Sequence, residues 1–543
     1  MTEPSGNANT RQEFARALWD LADLTRADSS RRSFRATAYR NATWSLDDLD
    51  PGLETSAEEA MKVPGIGPGI VRLIQEFRDT GSLSDYERLH SRYPAESGRI
   101  RKLPRVTPAI LRELKEVAGV ETWSDLEIAI DSGDALLAKG VGPATLERWV
   151  AVSSLWPNGP ALPAHESWVL ARTARSHYER ILRAPVTVTG EVRRVTEWAH
   201  TITLVVAGEV SADLLQSSAI GIPESVDEGS VRLDTPFGIP MEVRMATENE
   251  LGTALVSTSG PEAHLRLLDL STAAPTEQTV YEASGLNWVA PPARAGRLPP
   301  DDLIGVDHMR GDLHLHTDSS PDGRITLDEL VAALVDMGYS YAAVTDHTAG
   351  LRFGGLDGEA LMAQKREIDR VQELYPGFHL LHGAEINIEP DGTLDIEDEV
   401  LDELDIVVAG VHSSFDLSEE EQTRRVTSAL AHPRVRVLSH PTGRRIGLRA
   451  PLRLDMAAVV DTAATHSVAL EANGHRDRLD LNADLAKQAF DRGVVLAANS
   501  DAHRPAELAN MRNAVASLQA GHLPVDAVVN AREYEEFLTW LRG

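Results

Sequence analysis

GDLHLHT, residues 311–317, decides how the last third of this chain is read. Its two histidines, His314 and His316, stand two apart, so on an extended backbone they share one face. A lone pair of this kind is weak, because surface pairs are common. Working outward, however, the same ending recurs. The apolar runs YAAV (341–344), DIVVAGV (405–411), VRVL (435–438) and VVLAA (494–498) each lead into a polar ligand type. These are His347 in AAVTDH, His412 in VVAGVH, His440 in RVLSH, and Asp501 with His503 in ANSDAH. Asp322 in SSPDG and Glu385 in HGAEI bring the set to nine. In a barrel of parallel strands, catalytic groups collect at the C-terminal strand ends, so distant segments converge on one mouth. Core histidines scattered for packing would not choose that place each time. The pattern predicts a multinuclear metal site.

Composition narrows the chemistry. A chain of 543 residues exceeds one ordinary core, and two to four domains are expected. Apolar residues make up 42%, which fits folded domains rather than a disordered chain. The chain has no apolar run of about 18 residues to span a membrane, and its first residues, MTEPSGNANTRQEF, lack the basic-then-apolar order of a secretory signal. Neither a membrane partner nor export is therefore expected, and the predicted location is cytoplasmic. Zero cysteines remove disulfides and thiolate ligands. Imidazole, carboxylate and water ligands remain, and they suit manganese, with zinc or iron as alternatives.

The formal charge of −30, from 83 acidic against 53 basic residues, opposes broad contact with a phosphate backbone. Basic residues cluster instead: Arg31, Arg32, Arg35 and Arg40, then Arg193 and Arg194, then Arg434 to Arg453. Each cluster taken alone reads as a solvated face, and bound cations would add positive charge that the formula omits. Weak nonspecific DNA binding with a local site fits this balance.

Three parts follow from periodicity and punctuation. Residues 1–155 read as short helices, with helical spacing in ARALWDLADLTR, IVRLIQEF and ILRELKEVA. Between them recur VPGIGPGI (63–70), LPRVTPAI (103–110) and AKGVGPAT (138–145). Gly65, Gly67 and Gly69 in the first, and Gly140 and Gly142 in the third, let the backbone approach a partner closely. The helix that follows presents free N–H groups to a phosphate. The middle copy has Arg105 and Thr107 in place of the glycines and is expected not to bind. Residues 160–295 read as an α/β unit: a helix (HESWVLARTARSHYERIL), strands PVTVTG and TITLVVAG, a hairpin in VRLDTPFGIPMEVRM, and a small segment ending YEASGLNW. The Pro-rich connector PPARAGRLPPDDL holds the last boundary. Residues 306–543 alternate strands and helices, which predicts a barrel-like α/β domain.

At these residues the chain resembles the bacterial family X DNA polymerases that carry a C-terminal PHP (polymerase and histidinol phosphatase) domain. The likeness spans nearly the whole length and is dense in RGDLHLHT, YAAVTDH, LRFGGLD, PDGTLDIEDEVLDELD, HPTGR, RLDLN and NSDAH. It implies a multidomain protein with a helical helix-hairpin-helix region, an α/β nucleotidyltransferase-like palm with a small thumb, and a C-terminal distorted (β/α) barrel PHP domain. It further implies three divalent metal ions held by His314, His316, Asp322, His347, Glu385, His412, His440, Asp501 and His503, with Glu385 bridging. The loop from His316 is a residue longer than the usual pattern, so Asp318 is the alternative to Asp322. Asp322 is preferred because it precedes Gly323. FRATAYRNA (34–42) and the hairpin turns resemble the small domain that grips a gapped DNA end. The lysine that some relatives use for a Schiff base falls here at Leu73, which has no amine.

The palm departs most from the family. The family pattern places Gly-Ser before an Asp-x-Asp strand, with a third Asp on a neighbouring strand. In GEVRRVTEWAHTITLVVAG (190–208) the serine is Glu191 and the two aspartates are Thr201 and Thr203, while the third carboxylate falls at Glu242. Neutral hydroxyls cannot replace two carboxylates as charge-neutralising magnesium ligands. An inactive polymerase site is expected.

The leading reading is a metal-dependent phosphodiesterase acting on DNA ends or gaps, a 3′–5′ exonuclease or end-processing enzyme of repair. His314, His316, Glu385, Asp501 and Arg444 are its catalytic candidates, with Arg478 as a second phosphate-holding arginine and Asp346 as an orienter of its neighbours. For each arginine an ordinary ion pair is the plain alternative. Expected partners are gapped, nicked or 3′-ended DNA and other repair proteins. A small-molecule PHP phosphatase is the alternative enzyme, although it would not need the hairpins or the palm. A noncatalytic DNA-end-binding scaffold is the third reading, and it predicts erosion of the nine ligand positions.

Overall fold

The computed structural model describes residues 10–29, 33–157, 159–208, 212–216, 218–227, 229–351 and 354–543. Arg31 and Arg32 of the early basic cluster, and Arg352 and Phe353 of LRFGGLD, lie outside them. The chain packs into two compact units: Met1–Ser259 with Leu268–Trp288 and Gly447–Arg449, and Gly260–Leu267 with Val289–Ile446 and Ala450–Gly543. The helical and α/β regions share the first unit.

In that unit α1 (Thr10–Ala27) buries Phe14, Leu18 and Leu21 at helical spacing, and α2 (Phe34–Ser45) buries Ala36, Tyr39 and Thr43. The three punctuation motifs each start a helix at a proline: α3 (Pro68–Thr80), α4 (Pro108–Ala118) and α5 (Pro143–Ser153). Proline suits the first helical position because the N–H it lacks would have no intrahelical partner there. The long helix α6 (Ala164–Leu182) follows.

A buried carboxylate ties these regions together. Asp47 Oδ2 pairs with His177 Nε2 at 2.7 Å and accepts from Ser218 Oγ at 2.9 Å, while its Oδ1 accepts from Ala219 N at 2.6 Å and lies 3.0 Å from Arg11 Nη2. Burial alone would raise its pKa, but His177 and Arg11 outweigh that and hold it below the usual carboxylate range.

The palm-like sheet has β1 (Val186–Val188), β2 (Ile202–Ala207), β3 (Ile222–Asp227), β4 (Ser230–Asp234) and β5 (Met241–Ala246), in the spatial order β1-β2-β5-β4-β3. The β2–β5 pair is parallel and the rest are antiparallel. The predicted hairpin is β4–β5. The edge strand β3 was not expected: IPESVD carries a proline and exposes most of its residues, which only an edge tolerates.

The second unit is a seven-stranded, all-parallel sheet in chain order: β6 (Gly311–Asp312), β7 (Tyr341–Val344), β8 (His379–Asn387), β9 (Ile406–Gly410), β10 (Val435–Leu438), β11 (Ala469–Asn473) and β12 (Leu496–Asn499). A parallel bridge between Leu315 and Ala502 joins its first and last segments, nearly closing the barrel. Strands buried on both faces explain why YAAV, IVVAG and the LAA of LAAN read as unbroken apolar runs. Alternate residues divide between two cores. Ala342, Val344, Val407 and Leu470 pack with the helices, whereas Tyr341, Ala343, Leu381, Val408, Ala469 and Ala497 meet in one cluster with Phe537 of the C-terminal helix. Six of the seven strands, and Leu313 just after β6, contribute to that second cluster, which places it inside the barrel.

Candidate functional site

Inward parity carries straight up to the mouth. Leu381 and Glu385 share a face of β8, as Ala497 and Asp501 share the line of β12. Glu385 lies at the centre, 1% exposed. Its Oε2 is 3.3 Å from His314 Nε2, 3.7 Å from His316 Nε2 and 3.0 Å from His347 Nδ1. Its Oε1 is 3.2 Å from His412 Nε2 and 2.9 Å from His440 Nε2. Asp501 Oδ1 stands 3.6 Å from His314 Nε2 and 3.4 Å from His316 Nε2. Asp322 Oδ2 lies 3.7 Å from His347 Nε2 and 3.4 Å from His503 Nε2. Asp318 is exposed. All nine residues singled out in the sequence therefore meet in one mouth, with Asp322 rather than Asp318 turned into it.

Charge and hydrogen bonding fit this donor set to cations. His314 Nε2, His316 Nε2, His412 Nε2 and Glu385 Oε2 are buried and lack a hydrogen-bond partner in the protein, a costly state that metal coordination would relieve. Three overlapping groups have ligand atoms close enough to share an ion: His316–His347–His503, His314–His316–Asp501 and His347–Glu385–His412. Among the described residues such groups occur only here. Burial would raise the Glu385 carboxyl, but the surrounding imidazoles hold it well below its ordinary range. Burial and neighbouring imidazoles push His316 well below its usual value, so it presents a nitrogen lone pair rather than charge. His440 and Asp501 hold left-handed backbone conformations, φ 28° and 52°, the kind of strain that collects at functional sites.

Supporting residues surround the cluster. Asp346 accepts from Thr317 N at 2.7 Å, Thr317 Oγ1 at 2.5 Å and Gln364 Nε2 at 2.6 Å, fixing the backbone just after His316. Ser439 Oγ donates to Glu385 Oε1 at 2.8 Å. Sequence reading missed Glu471, a fully buried carboxylate that accepts from His314 Nδ1 at 2.7 Å. The available signal was parity, since Glu471 stands two residues beyond Ala469 on an inward face.

The two arginines separate. Arg444 donates through Nε to Arg478 O at 2.9 Å and through Nη2 to Leu479 O at 2.5 Å, so much of its planar fork is committed to holding that loop. Arg478 Nε lies 3.6 Å from Asp501 Oδ2, and its buried Nη1 has no hydrogen-bond partner. The geometry thus commits much of Arg444 to the loop and leaves Arg478 Nη1 without a hydrogen-bond partner beside Asp501.

In the first unit the three hairpins share one backbone path. Gly65 and Gly140 take φ 90° and 98°, and Arg105 takes φ 64° at the same point of the middle copy. Ile66 and Val141 between the glycines are buried, while Gly65 and Gly140 are exposed. Beta carbons built at Gly67, Gly69 or Gly142 would meet nothing within 4 Å, so these positions face open space. In the middle copy Thr107 Oγ1 accepts from Ile110 N, capping an N–H that the other two helices leave without a side-chain cap. A cleft of about 1080 Å³ lies against the first hairpin, lined by Arg35, Lys62, Gly65, Gly67 and Arg72. Leu73 is buried, as a packing residue should be.

The palm positions come together without a carboxylate triad. Thr203 pairs with Glu242 across β2 and β5, and Thr201 precedes β2. Glu191 is engaged by His200, accepting from its N–H at 2.6 Å. Arg193 forms a two-pronged pair with Glu277 at 2.9 and 2.7 Å.

Comparison with known proteins agrees with this layout. The helix-hairpin-helix domain profile matches residues 9–83, and the PHP domain profile matches residues 312–492. The chain is 29% identical, over 94% of its length and 95% of the relative's, to the DNA polymerase/3′-5′ exonuclease PolX of Bacillus subtilis. Over 40% of its length it is 27% identical to the probable phosphatase YcdX of Escherichia coli K12 and 28% identical to that of Shigella flexneri, in each case covering 89% of the relative. Among the described residues no helix is long and apolar enough to cross a membrane.

Proposed function

We propose that this chain, a PHP-domain protein with an N-terminal helix-hairpin-helix domain and the family X polymerase plan, is a metal-dependent phosphodiesterase that trims or processes DNA ends. One observation carries the reading: a buried glutamate, Glu385, with both oxygens faced by the imidazoles of five histidines whose ring nitrogens in part lack other partners. Three divalent ions, manganese before zinc or iron, would be held by the nine ligand positions. When bound they would supply a hydroxide nucleophile at neutral pH and charge against the scissile phosphate.

The chain's own groups do the rest. Arg478 offers a guanidinium edge to a phosphate oxygen, and Arg444 steadies its loop. The turns at Gly65–Gly69 and Gly140–Gly142 hold backbone phosphates at helix N-termini, with the basic cleft beside the first. The palm, having Thr201 and Thr203 for carboxylates and Arg193 tied to Glu277, presents DNA without extending it. In this reading the parts are 1–155 for DNA binding, 160–295 for the degenerate palm and 306–543 for hydrolysis, the location is cytoplasmic, and other repair proteins are its partners.

The YcdX relatives favour a second reading, a phosphatase for small phosphomonoesters, which would leave the hairpins without a task. End-labelled gapped DNA incubated with manganese, with and without deoxynucleotides, tests both. Primer shortening supports the nuclease, phosphate loss alone supports the phosphatase, and lengthening overturns the account of the palm.

A further inference from the structure

We infer that Glu471, acting with Asn473, is a positioning residue that sets the tautomer of one metal ligand and the aim of another. The inference rests on the metal-centre reading above and deepens it. Glu471 stands on β11, one strand from the ligand-bearing end of β12, and is fully buried with no lysine or arginine paired to it among the described residues. A buried carboxylate is expensive unless its oxygens are filled by donors. All four contacts here lead to the mouth. Oε1 accepts from His314 Nδ1 at 2.7 Å and from Asn499 Nδ2 at 2.9 Å. Oε2 accepts from the His440 backbone N–H at 2.6 Å and from Asn473 Nδ2 at 3.0 Å.

The tautomer of His314 follows from this arrangement. An ionised carboxylate only accepts, so the proton of His314 sits on Nδ1. Nε2 is then the nitrogen left to face Glu385 and Asp501; these carboxylates favour a proton on it in the metal-free protein, and a bound cation would take its lone pair in place of that proton. Asn473 extends the control, because its Nδ2 also donates to Asp501 Oδ2 at 3.0 Å and leaves Oδ1 toward His314 and His316. Asn499 accepts from Leu313 N at 3.1 Å, fixing the backbone on which His314 rides. One carboxylate and two amides thus orient His314, the His440 backbone and Asp501. A merely structural carboxylate would be expected to spread its bonds beyond the ligands.

The test uses the full-length protein and manganese alone. Free manganese is followed by electron paramagnetic resonance during titration of wild type, Glu471→Gln and Asn473→Ala, with melting of the metal-free proteins as the folding control. Glutamine keeps the shape but turns a donor toward donors. Glu471→Gln should weaken manganese binding about 10- to 100-fold, the usual cost of losing an outer partner. The DNA KM should stay unchanged, and excess manganese should restore turnover. Asn473→Ala should weaken binding less and leave the Glu471 charge in place, which keeps the inference testable if Glu471→Gln fails to fold. Unchanged manganese affinity in folded variants overturns the inference while sparing the metal centre. Failure of the wild type to bind manganese at all overturns both.

Discussion

Thr203 stands directly opposite Glu242 in the register of two adjacent parallel strands, so on the function proposed above a hydroxyl meets a carboxylate where magnesium would need two carboxylates. Primer extension on gapped DNA with magnesium and all four deoxynucleotides should therefore yield no product above background. Template-directed incorporation that survives Glu242→Ala would show that another group does the work assigned to this pair.

Gly67 and Gly142 face open space with ordinary negative φ, so a side chain there strains nothing in the protein. Gly67→Val or Gly142→Val should block only the approach of a phosphate. Losing one backbone bond to a charged group costs about 1.5–3 kcal/mol, so Kd for gapped DNA should rise about 10- to 100-fold. Hydrolysis of a small phosphodiester reporter should be spared. The few contacts also imply a shallow salt slope, about 0.9 per neutralised phosphate, and a steep one would point to an underrated basic surface.

His347 gives the metal centre a pH dependence. Burial disfavours its protonation, yet Glu385 and Asp322 outweigh burial and carry its pKa to about 10. In the metal-free protein it is therefore protonated at neutral pH, and metal binding must displace that proton. Manganese affinity should rise with pH through the neutral range, by about tenfold per unit for each proton released. Calorimetry in buffers of different ionisation enthalpy would count the protons. A pH-independent affinity would contradict this assignment of the group as a ligand.

Arg478→Ala should reduce kcat/KM on DNA about 100-fold, the scale of losing one preorganised donor to a developing charge. Arg478→Lys should recover little, because a point charge does not replace the planar fork. Arg444→Ala should act mainly through the loop, showing as a lower melting temperature with a smaller loss of rate. Equal losses in rate without any change in melting would return Arg444 to the phosphate.

Asp47→Ala should destabilise the first unit by about 3–5 kcal/mol, because it leaves Arg11 and His177 buried without their carboxylate. Denaturant titration would measure it. With a folded pKa below the unfolded one, Asp47 stabilises above the ordinary carboxylate range, and that contribution is lost as pH falls through its folded value. The gap between wild type and Asp47→Ala should therefore narrow in acid.

The barrel and its nine mouth residues were legible because fully buried strands write themselves as apolar runs, and the polar residue that ends each run marks the rim. The hairpin turns were legible from glycine and proline alone, although Arg105 shows that the backbone path can survive without glycine. Glu471 was not legible, because a glutamate between Leu470 and Ala472 looks like any other polar interruption until inward parity is known. The roles of Arg444 and Arg478 could not be separated by type or spacing. Only the carbonyls of residues 478 and 479, brought beneath the Arg444 fork by the loop, distinguish them. The edge strand Ile222–Asp227 was hidden because an exposed edge carries no apolar signature.

The parallel bridge from Leu315 to Ala502 has a consequence for how the protein comes off the ribosome. Ligands at the very start of the barrel wait for partners nearly two hundred residues downstream, and the ring has no seam at which a shorter piece could close. Nascent domains fold in order from the N-terminus. The hairpins can therefore be finished while the mouth of the barrel is still in pieces. On the function proposed above, a truncated or stalled chain would hold DNA without cutting it, a passive binder rather than an unregulated nuclease.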